Sequence, residues 1–263
     1  MRARVITALV AIPIALLAMG LESPWFLAAV SGMILFRGMV ELGRLFPWPR
    51  KSLLGWVLAL ATIGLLLALP RTMVYEAGAI LLAVGSLGLA VAAARQQVGW
   101  GSVLGPLWLA APIAVCFRFH EFGDDFWFSL RPLFLLIIPL WGGDTLALLV
   151  GKKWGKRAMA PSISPSKTWV GAGGHVVGCL VGTFLYCGLV GWGWPIALAT
   201  GLSTSVFGQI GDLLQSYAKR AAGLKDSGQV LPGHGGLLDR LDSSLLSAPV
   251  TALVVLAMQP LSA

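Results

Sequence analysis

Apolar runs of about 17 to 20 residues recur along almost the whole chain. As helices rising about 1.5 Å per residue, they can cross a hydrocarbon core of roughly 30 Å. Nine such runs predict nine spans, over approximately 5–21, 24–43, 53–69, 75–94, 102–117, 129–150, 169–190, 195–217 and 244–260. The fold class expected is therefore all-α, a polytopic transmembrane helical protein. Pro13, Pro112 and Pro139 lie inside spans and predict local kinks, because each removes a backbone donor. Only 11% of the 263 residues are charged and 57% are hydrophobic, with a mean hydropathy of +0.83. A soluble domain carries about 25% charged residues, so this chain lacks the polar surface to coat a globule in water. Disorder, a secreted disulfide scaffold and a soluble nucleic-acid-binding domain are excluded.

The formal charge is +8, and the positions of the cations decide what that means. With nine spans and a cytoplasmic N-terminus, 15 of the 19 lysines and arginines fall on the cytoplasmic side and the C-terminus lies outside. Arg71, Arg118 and Arg131 fall outside, and Arg37 lies within the second span. This is the positive-inside asymmetry, and it accounts for the basic charge without nucleic acid. Trp25, Trp48, Trp127, Trp192 and Trp194 stand near span ends, where an amphipathic ring sits at headgroup level. Arg2 and Arg4 before the first apolar run, with Ala18-Met19-Gly20 after it, also fit a cleaved secretory signal, which would leave eight spans. Cys116, Cys179 and Cys187 are odd in number and without ligand spacing, so they read as inert thiols in apolar runs.

Residues 1–128 read as a scaffold of transmembrane helices, and 129–263 as the catalytic region, with polar cytoplasmic loops at 151–168 and 218–243. Carboxylates border those loops, and an acidic residue at membrane depth is a functional-site hypothesis by default. If 211–220 is helical, Asp212, Ser216, Lys219 and Arg220 share one face. Lys225-Asp226-Ser227-Gly228 and Pro232-Gly233-His234-Gly235-Gly236 then bring glycines whose amides can approach a ligand closely, ahead of the free amides of the final helix. This is a phosphate cradle in outline. Asp239 and Asp242, flanking Arg240, lie three apart on the first turn of that helix. Hard oxygen ligands at that spacing suit Mg²⁺, although early acidic residues also serve a helix dipole. His234 reads as a binding group rather than a proton donor, His175 as a packing residue within a span, and His120 as part of an outside loop.

A third element runs from Asp144-Thr145 through Gly151-Lys152-Lys153-Trp154-Gly155-Lys156-Arg157 to Ser164-Pro165-Ser166-Lys167-Thr168. Lysines, hydroxyls and glycines together are what a triphosphate needs: cations for charge, donors for geometry. Lys152, Lys153 and Arg157 individually read as solvated positive-inside residues, whereas Lys167 within its hydroxyl cluster reads as functional. A Walker-type phosphate loop, a zinc-binding His-Glu-two-residues-His motif and a Gly-Xaa-Ser-Xaa-Gly elbow are all missing from the sequence, which removes ATPase, zinc protease and serine hydrolase readings.

The run from Ser216 through Lys219-Arg220, Lys225-Asp226 and Pro232–Gly236 to Asp239-Arg240-Leu241-Asp242 resembles the signature of the phosphatidate cytidylyltransferases, or CDP-diacylglycerol synthases. Asp144-Thr145, Gly151, Gly155-Lys156, Ser164–Thr168 and Gly211-Asp212 resemble the family as well. Ser166 stands where a second lysine is usual, Val170 and Gln215 where glutamate is common, and Leu148 where tyrosine is usual. The resemblance implies that phosphatidate and CTP give CDP-diacylglycerol and pyrophosphate, with Mg²⁺, in a multi-span membrane enzyme that is commonly a dimer. It implies that Asp212, Asp239 and Asp242 bind metal, around one or two cations, with Lys219 alongside them in catalysis. Ser164, Lys167, Thr168, Ser216, Lys219, Arg220 and Lys225 would hold phosphates. Asp144 and Asp226 would orient neighbours or bind metal through water. The cytoplasmic loops would place the active site on the inner face of a bacterial cytoplasmic membrane. Two other readings use the same features: a CTP-dependent polyprenol-type kinase, and a secondary transporter of an anionic solute. The transporter reading is weakened by carboxylates that cluster at the cytoplasmic edge and by the lack of an inverted repeat.

Overall fold

A computed structural model describes residues 24–46, 54–69, 98–120, 126–229 and 235–258, with scattered positions between 73 and 91. The elements are α1 (Pro24–Leu45), α2 (Leu54–Ala68), α3 (Val98–His120), α4 (Phe126–Trp154), β1 (Ala158–Ala160), β2 (Ser164–Thr168), α5 (Trp169–Val190), α6 (Trp194–Ala221), α7 (Leu238–Leu241) and α8 (Ser244–Met258). The protein is helical, and among the described residues its only sheet is the antiparallel β1–β2 pair. The expected span 5–21 lies outside the described residues. Of 75–94 only scattered residues are described, all of them helical.

Three described segments are long and apolar enough to cross a membrane: Phe134–Trp154, Trp169–Val190 and Leu238–Met258. Gly55–Ala68 and Leu104–Cys116 are shorter apolar helices. Helices α1 and α6 form over the expected spans 24–43 and 195–217, but each buries an ionisable side chain, Glu41 on α1 and Lys219 on α6. Apolar stripes run along the outward faces of α5 and α6. On α6, Leu198, Leu202, Val206 and Ile210 recur every fourth residue and are all exposed, as are Val177, Val181, Phe184 and Leu185 on α5. Such stripes meet lipid at no cost and water at a large one, so this is a membrane protein. Trp25 and Trp194 are exposed at helix starts, as interfacial anchors would be.

The described residues form two compact units, each with its own core. One joins residues up to Leu130 with Tyr217–Asp242. Here α3 packs against α1 and α2, burying Met39, Leu42, Leu66, Trp108 and Leu109, and Leu238 of α7 is fully buried in the same unit.

The other unit holds Arg131–Ser216 and the chain from Ser243. Here α4 and α5 cross at glycines: a Cβ on Gly142 would stand 2.9 Å from the Gly178 carbonyl oxygen. Only hydrogens at both positions allow the backbones to approach this closely, the usual device where lipid offers no hydrophobic drive for helix association. Thr204 of α6 and Thr251 of α8 share a buried hydroxyl hydrogen bond of 2.8 Å. The loop expected over 151–168 is ordered. Helix α4 runs on to Trp154, so Lys152 and Lys153 belong to its last turn, and the remainder folds into the β1–β2 hairpin. Thr168 ends β2 and caps α5, its hydroxyl accepting from Gly171 N at 3.1 Å.

Candidate active site

In the second unit, α4, the hairpin, α5 and α6 enclose a cavity of about 610 Å³. Asp144, Lys152, Lys167, His175 and Asp212 supply its charged and titratable lining, with Gly151, Gly155 and Thr168 beside them. Its volume lies in the range of small-molecule sites, roughly 300–1,000 Å³. Lys167 Nζ forms an ion pair with Asp212 Oδ2, each side chain partly exposed to the cavity. Ser216 Oγ lies 3.4 Å from Asp212 Oδ1, one turn further along α6. The cavity therefore brings together Asp144, Lys167, Thr168 and Asp212, residues separated by up to 68 positions in the chain.

One wall of the cavity is a polar chain that the sequence does not announce. His175 Nε2 lies 3.4 Å from Asp144 Oδ1, and its Nδ1 lies 2.9 Å from Ser205 Oγ. Gln209 Nε2 donates to the same Ser205 oxygen at 3.1 Å. His175 is buried in α5, as expected of a packing residue, and its Nε2 also lies beside the exposed Asp144 carboxylate. Buried Cys179 sits 3.5 Å from His175 Nδ1, and all three cysteines are free.

In the first unit the signature residues converge on Asp239. Its Oδ1 accepts from Lys219 Nζ at 2.7 Å, and its Oδ2 accepts from Ser227 N at 2.8 Å and Gly236 N at 2.9 Å. Both side chains of the Lys219–Asp239 pair are at least nine-tenths buried. Glu41 of α1 closes the same loop, although the sequence reading placed it in bare scaffold. It is 1% exposed; its Oε2 accepts from Ser227 Oγ and Leu238 N, and its Oε1 from Leu237 N, each at 2.8 Å. Gly236 is required by this crowding, since a Cβ there would collide with both Ser227 Oγ and Glu41 Oε2. A signal for Glu41 did exist: a lone carboxylate inside an apolar run needs a partner at membrane depth.

Ser164 pairs with Ala160 in the hairpin. Arg220 donates to the Leu224 carbonyl at 3.1 Å, closing the end of α6. Lys225, Asp226 and Arg240 are exposed, Asp242 follows α7 directly, and Gly235 has a φ of 80°. Gly233 and His234 lie outside the described residues.

Among the described residues, no three His, Cys, Asp or Glu side chains gather as ligands for one ion. Mg²⁺ would need only one or two carboxylates, with its remaining ligands from water and phosphate. Asp239 is buried and both its oxygens accept hydrogen bonds, so a cation would reach it only by displacing one of those partners.

The phosphatidate cytidylyltransferase of Brucella abortus is 34% identical over 230 residues, covering 82% of each chain. That of Pseudomonas aeruginosa is 34% identical, covering 98% of this chain and 97% of its own. That of Bacillus subtilis is 42% identical over 140 residues, about half of each. A family model described as the cytidylyltransferase family matches residues 2–258. The match runs through both units, including the Lys167–Asp212 cavity and the Asp239 loop, and the chain belongs to the cytidylyltransferase family.

Proposed function

We propose that this protein transfers the cytidylyl group of CTP to phosphatidate, giving CDP-diacylglycerol and pyrophosphate. The observation that carries the reading to particular residues is the cavity in which lysines and carboxylates face one another across a glycine-lined wall. A phosphate oxygen of the lipid bonds to the α-phosphorus of CTP as the bond to pyrophosphate breaks. The nucleophile is already an anion, so no strong base is needed. The protein's task is to hold two anions together, by position and by charge. Lys167 contributes an ammonium to the nucleotide's phosphates, supported by Ser164 and Ser216. Thr168 supports it indirectly by capping α5 behind it. Lys219, Arg220 and Lys225 supply positive charge for the phosphates, to which Gly233, His234, Gly235 and Gly236 are also assigned as binding residues. Asp212, Asp239 and Asp242 are the carboxylates assigned to Mg²⁺, which when bound would neutralise phosphate charge. Asp144, held by His175, and Asp226 orient neighbours.

The working form on this reading is a homodimer in the cytoplasmic membrane of a bacterium, with nine spans and the site facing the cytoplasm. Reporter fusions after residue 263 and within 218–243 should then report opposite sides of the membrane. The same side for both would end the nine-span topology.

Purified protein in detergent, given CTP, phosphatidate and Mg²⁺, should release pyrophosphate and CDP-diacylglycerol. Release of CDP instead would mark a lipid kinase. The cavity also predicts how its lysines differ. Lys167→Ala should lower kcat/KM for CTP about ten- to a hundredfold, the equivalent of one charge-assisted hydrogen bond. Lys167→Arg should recover part of that, because a planar fork replaces a compact donor. Lys153 lies over the Trp154 ring at 4.7 Å, so Lys153→Ala should change little. Equal, small effects at 153 and 167 would leave the cavity as electrostatic background.

A further inference from the structure

Beside the Glu41 cradle, and within the same unit, lies a second cavity of about 140 Å³ lined by Arg37, Val40, Glu41, Arg44 and Gln229. Arg37 and Arg44 are seven residues apart on α1, two turns, so they present their guanidinium groups on one face. Arg37 lies eight residues before the helix end, about 12 Å along its axis, where a cation is costly unless it has work to do. Among the described residues neither arginine has an ion-pair partner. Glu41 does not supply one, because its two oxygens already accept from Ser227, Leu237 and Leu238. The cavity is thus lined by two arginines and by one carboxylate that is engaged with the loop.

The same helix face continues as an apolar surface. Met33, Phe36 and Val40 lie in line with Arg37 and Arg44 at helical spacing and are 65%, 54% and 39% exposed. A ridge that suits hydrocarbon, ending at two arginines that suit a phosphate fork, is complementary to a single-headed anionic lipid. We infer that Arg37 and Arg44 form the subsite for the phosphomonoester head of the lipid substrate, with its acyl chains against Met33 and Phe36. This rests on the proposed function and deepens it by locating the lipid, as distinct from the nucleotide, on α1. Both free phosphate and a lipid headgroup have the chemistry to occupy two arginines; the apolar ridge favours the lipid.

The test uses the full-length protein in detergent with dihexanoyl phosphatidate as the probe. Arg37→Gln and Arg44→Gln should each raise KM for dihexanoyl phosphatidate about ten- to a hundredfold and leave KM for CTP unchanged. The lysine variants at both positions should be intermediate. Calorimetric titration without CTP should show dihexanoyl phosphatidate binding to the wild type and lost in the glutamine variants, with thermal unfolding unchanged. Should Arg37→Gln fail to fold, exposed Arg44 carries the test alone. Unchanged KM for the lipid, or a rise in KM for CTP instead, overturns the inference. Inorganic phosphate that binds as tightly as the lipid, and is lost in the same variants, overturns the lipid assignment. If the wild type makes no CDP-diacylglycerol, the proposed reaction fails, while loss of phosphatidate binding in the variants still supports the subsite.

Discussion

Lys219→Met should abolish turnover and destabilise the protein by about 3–5 kcal/mol, the usual cost of leaving a buried charge without its partner. The size follows from the burial of both side chains and from the 2.7 Å contact, whose loss leaves a buried carboxylate without its counter-charge. Thermal unfolding in detergent, followed alongside activity at a temperature well below the transition, checks both parts. The double variant Lys219→Met with Asp239→Leu should regain much of the stability and none of the turnover, because it removes the stranded charge without restoring the chemistry. Near-normal turnover in Lys219→Met would show that the pair only braces the loop. Asp239→Asn is a poorer probe of metal binding than the sequence suggests. An amide oxygen can still accept from Ser227 and Gly236, but the amide NH₂ then faces the Lys219 ammonium. Loss of activity there would mix charge with folding.

Glu41→Ala is expected to be nearly as damaging, although the residue stands almost 200 positions upstream of the loop it holds. The substitution strands three donors at once: the Ser227 hydroxyl and the amides of Leu237 and Leu238. A buried donor without a partner costs about 1–3 kcal/mol, so a combined loss of about 3 kcal/mol or more follows. Glu41→Gln keeps one acceptor oxygen and sets an NH₂ against a remaining donor, so it should fall between wild type and alanine. Protease susceptibility of the 222–237 segment, measured beside the unfolding temperature, separates local opening from global unfolding. Wild-type behaviour in both would contradict the clamp. Gly236→Ala should resemble Glu41→Ala, since its added methyl displaces the Glu41 carboxylate from the same loop.

Helix, membrane and family were legible in the sequence because each is a local property. Hydropathy over 20 residues, the side on which lysines collect, and a signature within 27 consecutive residues need no knowledge of what packs against what. The helical extent of α5, Trp169–Val190, coincides with the expected span because Thr168 caps its start and left-handed Gly191 ends it, both readable signals. The β1–β2 hairpin was not legible. Three and five residues carry too little alternation to register as strands, and their pairing depends on flanking helices that bring the loop's two ends together.

The chemistry divides in the same way. Spacing, together with the family resemblance, marked Lys167, Asp212, Lys219, Asp239 and Asp242 among the candidate site residues. The pairing of Lys167 with Asp212, the burial of Lys219 against Asp239, the support of Asp144 by His175 and the entry of Glu41 into the loop are tertiary facts. No local pattern encodes them, because contacts between residues 20 to 197 positions apart exist only after the helices have packed. The sequence by itself determined a helical membrane protein of this family with its charged groups gathered in and beside two polar loops. Which carboxylates face a ligand and which are spent holding the backbone was decided by burial, since only packing determines which donors lose their water and must be answered from within.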